Sequence, residues 1–282
     1  MTASKHAAPR LLLLTAAALA AFAANSLLCR LALKASHIDA ASFTSLRLVS
    51  GAAVLWLLVR ARGARVRGDA YSALALFVYA IAFSFAYVSL GVGVGALLAF
   101  GAVQLCMLAA GLWQGERPGP AQLGGLALSL GGLVFLVWPG LAAPEPLGAA
   151  LMVVAGLAWG VYSLRGRGAA DPVSSTAGNF LWAAPLAVLC NLPFLPRLHL
   201  DTVGVLYAVA SGAITSGLGY VVWYSALKGL TATRAAIVQL SVPVIAAFGG
   251  IWLLDEAFTS RLAIASCAIL GGVALAVLGK QS

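Results

Sequence analysis

SLGVGVGALLAF, residues 89–100, lies inside the longest uncharged stretch of the chain. No Asp, Glu, Lys or Arg occurs between Asp69 and Glu116, a run of 46 residues. A membrane-spanning helix needs roughly 20 mainly apolar residues, so this run is too long for one helix and right for two. Gly91, Gly93 and Gly95 then mark the hairpin between them. Glycine reaches the positive-φ conformations of a tight turn, and the Gly91/Gly95 spacing also allows helices to pack closely. A phosphate-cradling role would require G-x-G-x-x-G after a strand in a βαβ unit, and that context is absent here.

The rest of the chain has the same character. It is 62% hydrophobic and 9% charged, with a mean hydropathy of +1.00. Soluble domains carry about 25% charged residues, so this sequence lacks the polar surface to stay dissolved. Backbone groups in lipid must be paired within the segment, which selects helices. Uncharged runs predict ten spans, at 11–33, 38–60, 71–90, 94–115, 122–138, 147–164, 173–195, 203–226, 232–254 and 261–279. The basic start (Lys5, Arg10) and AFAAN at 21–25 resemble a cleavable leader. The apolar run is long and further spans follow, so an uncleaved first helix is expected. Cys29, Cys106, Cys190 and Cys267 sit in apolar runs without metal-ligand spacing, and are expected to be buried thiols rather than a disulfide or metal framework.

Charge sets the orientation. With the N-terminus inside, cytoplasmic ends carry Lys5, Arg10, Arg60, Arg62, Arg65, Arg67, Arg117, Arg165, Arg167, Lys228, Arg234 and Lys280, twelve in all. The opposite ends carry four, Arg30, Lys34, Arg197 and Arg261. The positive-inside rule therefore favours both termini in the cytoplasm. The net charge of +9 reflects that bias; a nucleic-acid partner would need it gathered on a soluble face.

The two halves repeat. QGERPGPAQLGGLALSLGGLVFLV (114–137) parallels LDEAFTSRLAIASCAILGGVALAV (254–277), with Glu116 opposite Glu256 and Gly131-Gly132 opposite Gly271-Gly272. Tyr87 and Leu90 likewise match Tyr224 and Leu227, three residues out of step with that offset. The shortfall lies at the glycine hairpin, whose longer counterpart is KGLTATRA (228–235). Repeats 1–140 and 141–282 each hold five spans, an odd number, so the second must be inverted. Inverted repeats are a transporter architecture with substrate held near the midplane. The expected fold is an all-α integral membrane protein of ten transmembrane helices in two inverted five-helix repeats.

YSALKGLTATRAAIVQLSVPVIAAFGGIWLLDE (224–256), with Tyr224, Ala226, Leu227, Pro243 and Glu256, resembles the drug/metabolite transporter superfamily, specifically its EamA-type ten-span members. Arg47 and Glu116 stand where that family tends to have them. The resemblance covers essentially the whole chain, and the YddG-like exporters of aromatic amino acids are its nearest subgroup. It implies an exporter of small metabolites in a bacterial cytoplasmic membrane, working by alternating access. One departure is that the mid-helix proline has no partner in the first half, where Val103 and Gln104 stand.

The residues themselves point the same way. Every Asp and Glu lies at a helix end or in a loop, and His6, His37 and His199 are terminal or in loops. No catalytic or metal-binding set is available, so neither an enzyme nor a cofactor or metal is expected. Arg47 is the one charge well inside a span. It is either the counter-ion of a substrate carboxylate, through a bidentate fork, or a snorkelling or carbonyl-bonded structural residue near the outer end of its helix, and its position favours the second. Asn25, Gln104, Asn179 and Gln239 are span amides that need partners; four in one bundle suit a polar lumen.

Aromatic residues share faces at helical spacing: Tyr79, Phe83 and Tyr87; Trp159 and Tyr162 with Ser163; Ser216, Tyr220 and Trp223. Trp56, Trp113, Trp138 and Trp252 lie near span ends and read as an interfacial belt. A cavity of deep aromatics and a few amides suits a zwitterionic or uncharged, partly apolar ligand. The candidate lining set is Asn25, Tyr79, Phe83, Tyr87, Gln104, Trp159, Tyr162, Ser163, Tyr220, Trp223 and Gln239. Gly217, Gly219 and Pro243 are candidate hinges. The expected partners are a small-molecule substrate and the lipid bilayer. Two other functions stay open: a broad exporter of lipophilic drugs or cations, and a non-transporting scaffold or receptor. Oligomeric state is left open, since small-residue faces serve packing within and between chains.

Overall fold

A computed structural model describes residues 3–113, 119–140, 143–166, 169–230, 238–239 and 241–278. Its helices are α1 (Ala3–Lys34), α2 (Ala40–Ala61), α3 (Ala70–Ser89), α4 (Val92–Trp113), α5 (Pro120–Val137), α6 (Pro146–Gly166), α7 (Pro172–Asn191), α8 (Thr202–Leu227), α9 (Ser241–Leu254) and α10 (Ser260–Leu278). The chain is an all-α, multi-pass integral membrane protein. Among the described residues, six helices are long and apolar enough to cross a bilayer: Pro9–Lys34 of α1, then α2, α3, α6, α7 with its trailing turn, and α8. Shorter apolar stretches, Val92–Met107, Leu123–Val137, Ser241–Leu254 and Ser260–Gly272, occupy α4, α5, α9 and α10.

Acidic residues start these helices. Asp39, Asp69, Asp171 and Asp201 precede α2, α3, α7 and α8, and each carboxylate accepts a backbone N–H of the first turn. Such caps satisfy donors that the helix itself cannot. Glu145 does the same for α6, through Leu147 N and Gly148 N. Acids at span ends are therefore structural. Glu116, the proposed counterpart of Glu256, lies outside the described residues, as does most of KGLTATRA. One helix end and one helix interior differ from expectation. Helix α7 stops at Asn191 and tightens into a 3₁₀ turn, Leu192–Arg197, because Pro193 and Pro196 bring no N–H to an α-helical ladder. Helix α8 contains a π-helical segment, Ser211–Leu218, which hydropathy alone does not reveal.

The glycine hairpin is also corrected. Gly91, Gly93 and Gly95 are absent from the positive-φ residues, where the described glycines are Gly63 and Gly140. Their value is space. A Cβ on Gly91 would stand 3.0 Å from the Glu256 carboxylate, and one on Gly95 would stand 2.5 Å from the Tyr87 ring. Glu256 Oε2 accepts the N–H of Val92 at 2.7 Å, capping α4 from a distant loop. Its other oxygen is 3.6 Å from Arg30 Nε. Arg30 Nη1 in turn donates to the Tyr87 and Val88 carbonyls at the end of α3, both at 2.8 Å. The hairpin is thus clasped by a cation on its carbonyl end and an anion on its amide end, as helix dipoles favour.

Loop contacts gather at two opposite ends. At one, Lys34 donates to the Leu254 carbonyl, Ser89 to Glu145, and Asp39 N to His199 O beside the isolated bridge between Ile38 and Leu200. At the other, Arg67 N donates to Ser174 O, and Arg165 pairs with Asp69. Helix α5 packs on α10, α2 on α7 and α8, α6 on α3 and α4, and α1 on α8 and α9. Exposed Trp56, Trp113, Trp138 and Trp252 stand on the outer surface. The thiols depart from expectation: Cys29 is buried, Cys106 half-buried, and Cys190 and Cys267 face outward. In a membrane protein an apolar run serves the lipid face as well as the core.

Candidate functional site

The centre of the bundle is built around Arg47, eight residues into α2 and 1% exposed. Its Nε donates to Ser216 Oγ of α8 at 2.9 Å. Its Nη2 donates to Tyr220 of α8 at 2.9 Å and to Tyr79 of α3 at 3.1 Å. Among the described residues its Nη1 has no hydrogen-bond partner. The guanidinium carbon stands 5.1 Å from the Tyr79 ring centre and 5.2 Å from that of Phe83. Among the described residues no carboxylate pairs with it, the ion pairs being Arg30–Glu256, His37–Asp201 and Arg165–Asp69. Arg47 does not snorkel, and it is not held by backbone carbonyls; three hydroxyl oxygens hold it at mid-bundle. Such a buried cation is costly and belongs characteristically to a pathway or ligand site.

Asn25 of α1 extends the network. Its Nδ2 donates to Tyr79 at 3.3 Å, and its Oδ1 accepts from Ser211 at 2.6 Å and Thr215 at 3.2 Å. The π segment makes this convergence possible. In it, N–H groups reach carbonyls five residues back, as Gly219 N does to Ile214 O, so Ser211 and Ser216, five apart, turn toward one side. A Cβ on Gly212 would collide with the Arg47 carbonyl, so that glycine lets α8 lie directly on α2.

Beside this network lies a cavity of about 30 Å³, lined by Asn25, Ser26, Tyr79, Phe83, Trp159 and Tyr220 among others. That is room for about one water molecule. Its walls are aromatic. Trp159 of α6 lies 5.0 Å from Tyr79 and 4.6 Å from Tyr220 between ring centres. Phe22 of α1 meets Trp159, Tyr220 and Trp223 edge-on at 5.6–6.0 Å.

The expected lining residues divide accordingly. Asn25, Tyr79, Phe83, Trp159 and Tyr220 line the cavity, with Trp223 and Tyr162 in the next layer, the latter 5.5 Å from Trp159. Tyr87 stacks edge-on against Phe83 at 4.7 Å but reaches toward Val92 O, as part of the hairpin. Gln104, Ser163 and Gln239 are buried without lining the cavity. Asn179 instead accepts the N–H of Asp69 at the loop end. Pro243 is buried three residues into the described part of α9, and the residues just before it lie largely outside the described set. Gly217 and Gly219 lie in or next to the π segment, Gly219 against Ala21. Phe22 and Ser26 were missed, although Asn25 and Ser26 follow Phe22 by three and four residues, the spacing of one broad face of α1. Ser211 and Thr215 were missed because their convergence depends on the π turn.

A membrane-embedded bundle gathers a buried cation, hydroxyls and aromatic faces at its centre, groups suited to holding a small molecule. Residues 146–278, the second half of the chain, match the sequence profile of the EamA-like transporter family. An uncharacterized protein of Pseudomonas aeruginosa is 57% identical over 269 residues, 94% of either chain. The aromatic amino acid exporter YddG of Ancylobacter novellus is 29% identical over 188 residues, 64% of this chain and 66% of that one. An uncharacterized transporter of Archaeoglobus fulgidus is also 29% identical, over 58% of this chain and 60% of its own. One solved crystal structure aligns with a TM-score of 0.67 at 27% identity, covering 93% of this chain and 98% of its own.

Proposed function

We propose that the chain is a secondary transporter of ten spans in two inverted five-helix repeats, 1–140 and 141–282. Both termini face the cytoplasm across a bacterial inner membrane. It exports small amphipathic metabolites that carry a carboxylate, aromatic and other amino acids among them, by rocking one repeat against the other. The observation that carries this reading is Arg47, a buried guanidinium with hydroxyl partners and, among the described residues, no carboxylate and no partner at Nη1. A substrate carboxylate entering the aromatic cage completes it by accepting from Nη1, with the hydroxyl partners left in place. The printed name of the Ancylobacter novellus relative is in keeping with that substrate.

The packing supports the repeat. Exchanging α1–α5 with α6–α10 returns the same contacts: α5 with α10, α2 with α7, α3–α6 for α8–α1, α4–α6 for α9–α1, and α2–α8 for α7–α3. The central cavity of about 30 Å³ is too small for a metabolite, so its walls must part. The π segment of α8, with Gly217 and Gly219, and Pro243 of α9 supply the bending points. A lipophilic-cation exporter is disfavoured, because the buried charge has the wrong sign. The scaffold reading leaves the cost of burying Arg47 unexplained.

The test is flux into liposomes holding the purified protein, with labelled phenylalanine, threonine and methyl viologen side by side, with and without a pH gradient. Saturable phenylalanine flux that falls in Trp159→Ala is expected. Methyl viologen moving alone would remove the carboxylate reading, and flux of none would return the scaffold.

A further inference from the structure

We infer that the Arg47 site selects net anions: arylalkyl carboxylates without an α-ammonium bind ahead of zwitterionic amino acids of the same skeleton. This rests on the carboxylate reading above and narrows it. The ground is the polar inventory of the cage. Arg47 brings one full positive charge and no described acid balances it, so a monoanion neutralises the site whereas a zwitterion leaves it cationic.

The ammonium of an amino acid would also need acceptors beside the cavity. The amide oxygen there, Asn25 Oδ1, already accepts from Ser211 and Thr215. The hydroxyl oxygens of Tyr79 and Tyr220 already accept from Arg47. The Ser26 hydroxyl on the cavity wall and the aromatic faces are the other attractions open to a cation, and Arg47 itself stands over the faces of Tyr79 and Phe83. An ammonium carried on the carbon next to a carboxylate bound at Arg47 would therefore share those faces with a like charge, which opposes binding. The apolar remainder of the ligand meets Phe22, Phe83 and Trp159, which take an aryl ring equally well with or without the amine.

The experiment is calorimetric titration of the full chain in lipid nanodiscs with three ligands that share one skeleton: 3-phenylpropionate, phenylalanine and 2-phenylethylamine. The expected order is phenylpropionate at least about tenfold tighter than phenylalanine, with no saturable binding of phenylethylamine. A smaller ratio, or phenylalanine binding more tightly, overturns the anion preference while leaving the carboxylate transporter standing. Binding of none of the three, or of phenylethylamine most tightly, overturns both. Arg47→Lys keeps the charge and should keep the order with weaker affinities; Arg47→Gln should lose it. The comparison in the unaltered protein stands even where Arg47→Gln does not fold.

Discussion

Nη2 of Arg47 donates to Tyr220 at 2.9 Å and to Tyr79 at 3.1 Å, so one nitrogen joins α2, α3 and α8. The two tyrosines also touch, Tyr220 donating to Tyr79 at 3.3 Å. Tyr79→Phe and Tyr220→Phe each remove one acceptor of a buried cation. Each should destabilise the protein by roughly 1–2 kcal/mol, at the upper end of hydrogen bonds measured in membranes because the donor is charged. The double variant should cost more than the sum, since only then does Nη2 lose both acceptors. Reversible unfolding in mixed micelles measures all three.

Glu256 and Arg30 clasp the α3–α4 hairpin, with side chains only 16% and 13% exposed. Glu256→Ala removes a cap, worth about 0.5–2 kcal/mol, and leaves Arg30 without its ion partner. Arg30→Met with Glu256→Ala should therefore be less destabilising than the single changes predict by addition. A double-mutant cycle on unfolding free energies checks this; strict additivity would mean the pair is not coupled.

Glycines sort by what surrounds them. Gly95→Ala drives a methyl into the Tyr87 ring, and Gly212→Ala drives one into the Arg47 carbonyl, so both should lower folded yield and thermal stability sharply. Gly124 and Gly131 have nothing within 4 Å of an added Cβ. Alanine there should be neutral or gain up to about 1 kcal/mol from helix propensity. Thermal denaturation of the four variants tests the contrast; similar losses in all four would contradict it.

Acid should loosen one loop end. Asp201 is held below the usual aspartate range by the Gly204 backbone N–H first and then by His37, 2.7 Å away. A carboxylate with a depressed folded-state pKa contributes stability that is fully present above its unfolded value, near 3.8, and is lost as pH falls through the lower folded value. The stability gap between the native protein and Asp201→Ala should shrink as pH falls through and below the ordinary aspartate range. Melting temperatures of both proteins across that range supply the check.

Hydropathy made the helical class and the α3–α4 pair legible, because lipid allows so few backbone solutions. Spacing made the aromatic cage legible: Tyr79 and Phe83 share a face of α3, and Trp159 is deep in α6. What stayed hidden depended on local backbone departures or distant partners. The π turn that aims Ser211, Thr215 and Ser216 at Asn25 and Arg47 leaves no mark on composition. The reason for Gly91 and Gly95 is a carboxylate 165 residues after Gly91 and a ring in the preceding helix. Arg47 looked like a helix-end residue because its hydroxyl partners come from α3 and α8, which no spacing along α2 can announce.

The most direct measurement is counterflow exchange of labelled phenylalanine by the native protein, Arg47→Lys and Arg47→Gln in liposomes, normalised to folded protein. If Arg47 binds the substrate carboxylate, Arg47→Gln should lose at least about a hundredfold in exchange rate, the cost of removing one side of a buried charge pair. Arg47→Lys should retain a measurable part. Undiminished exchange in Arg47→Gln, with a lower melting temperature alone, would show instead that Arg47 is a brace between helices and that the substrate binds elsewhere.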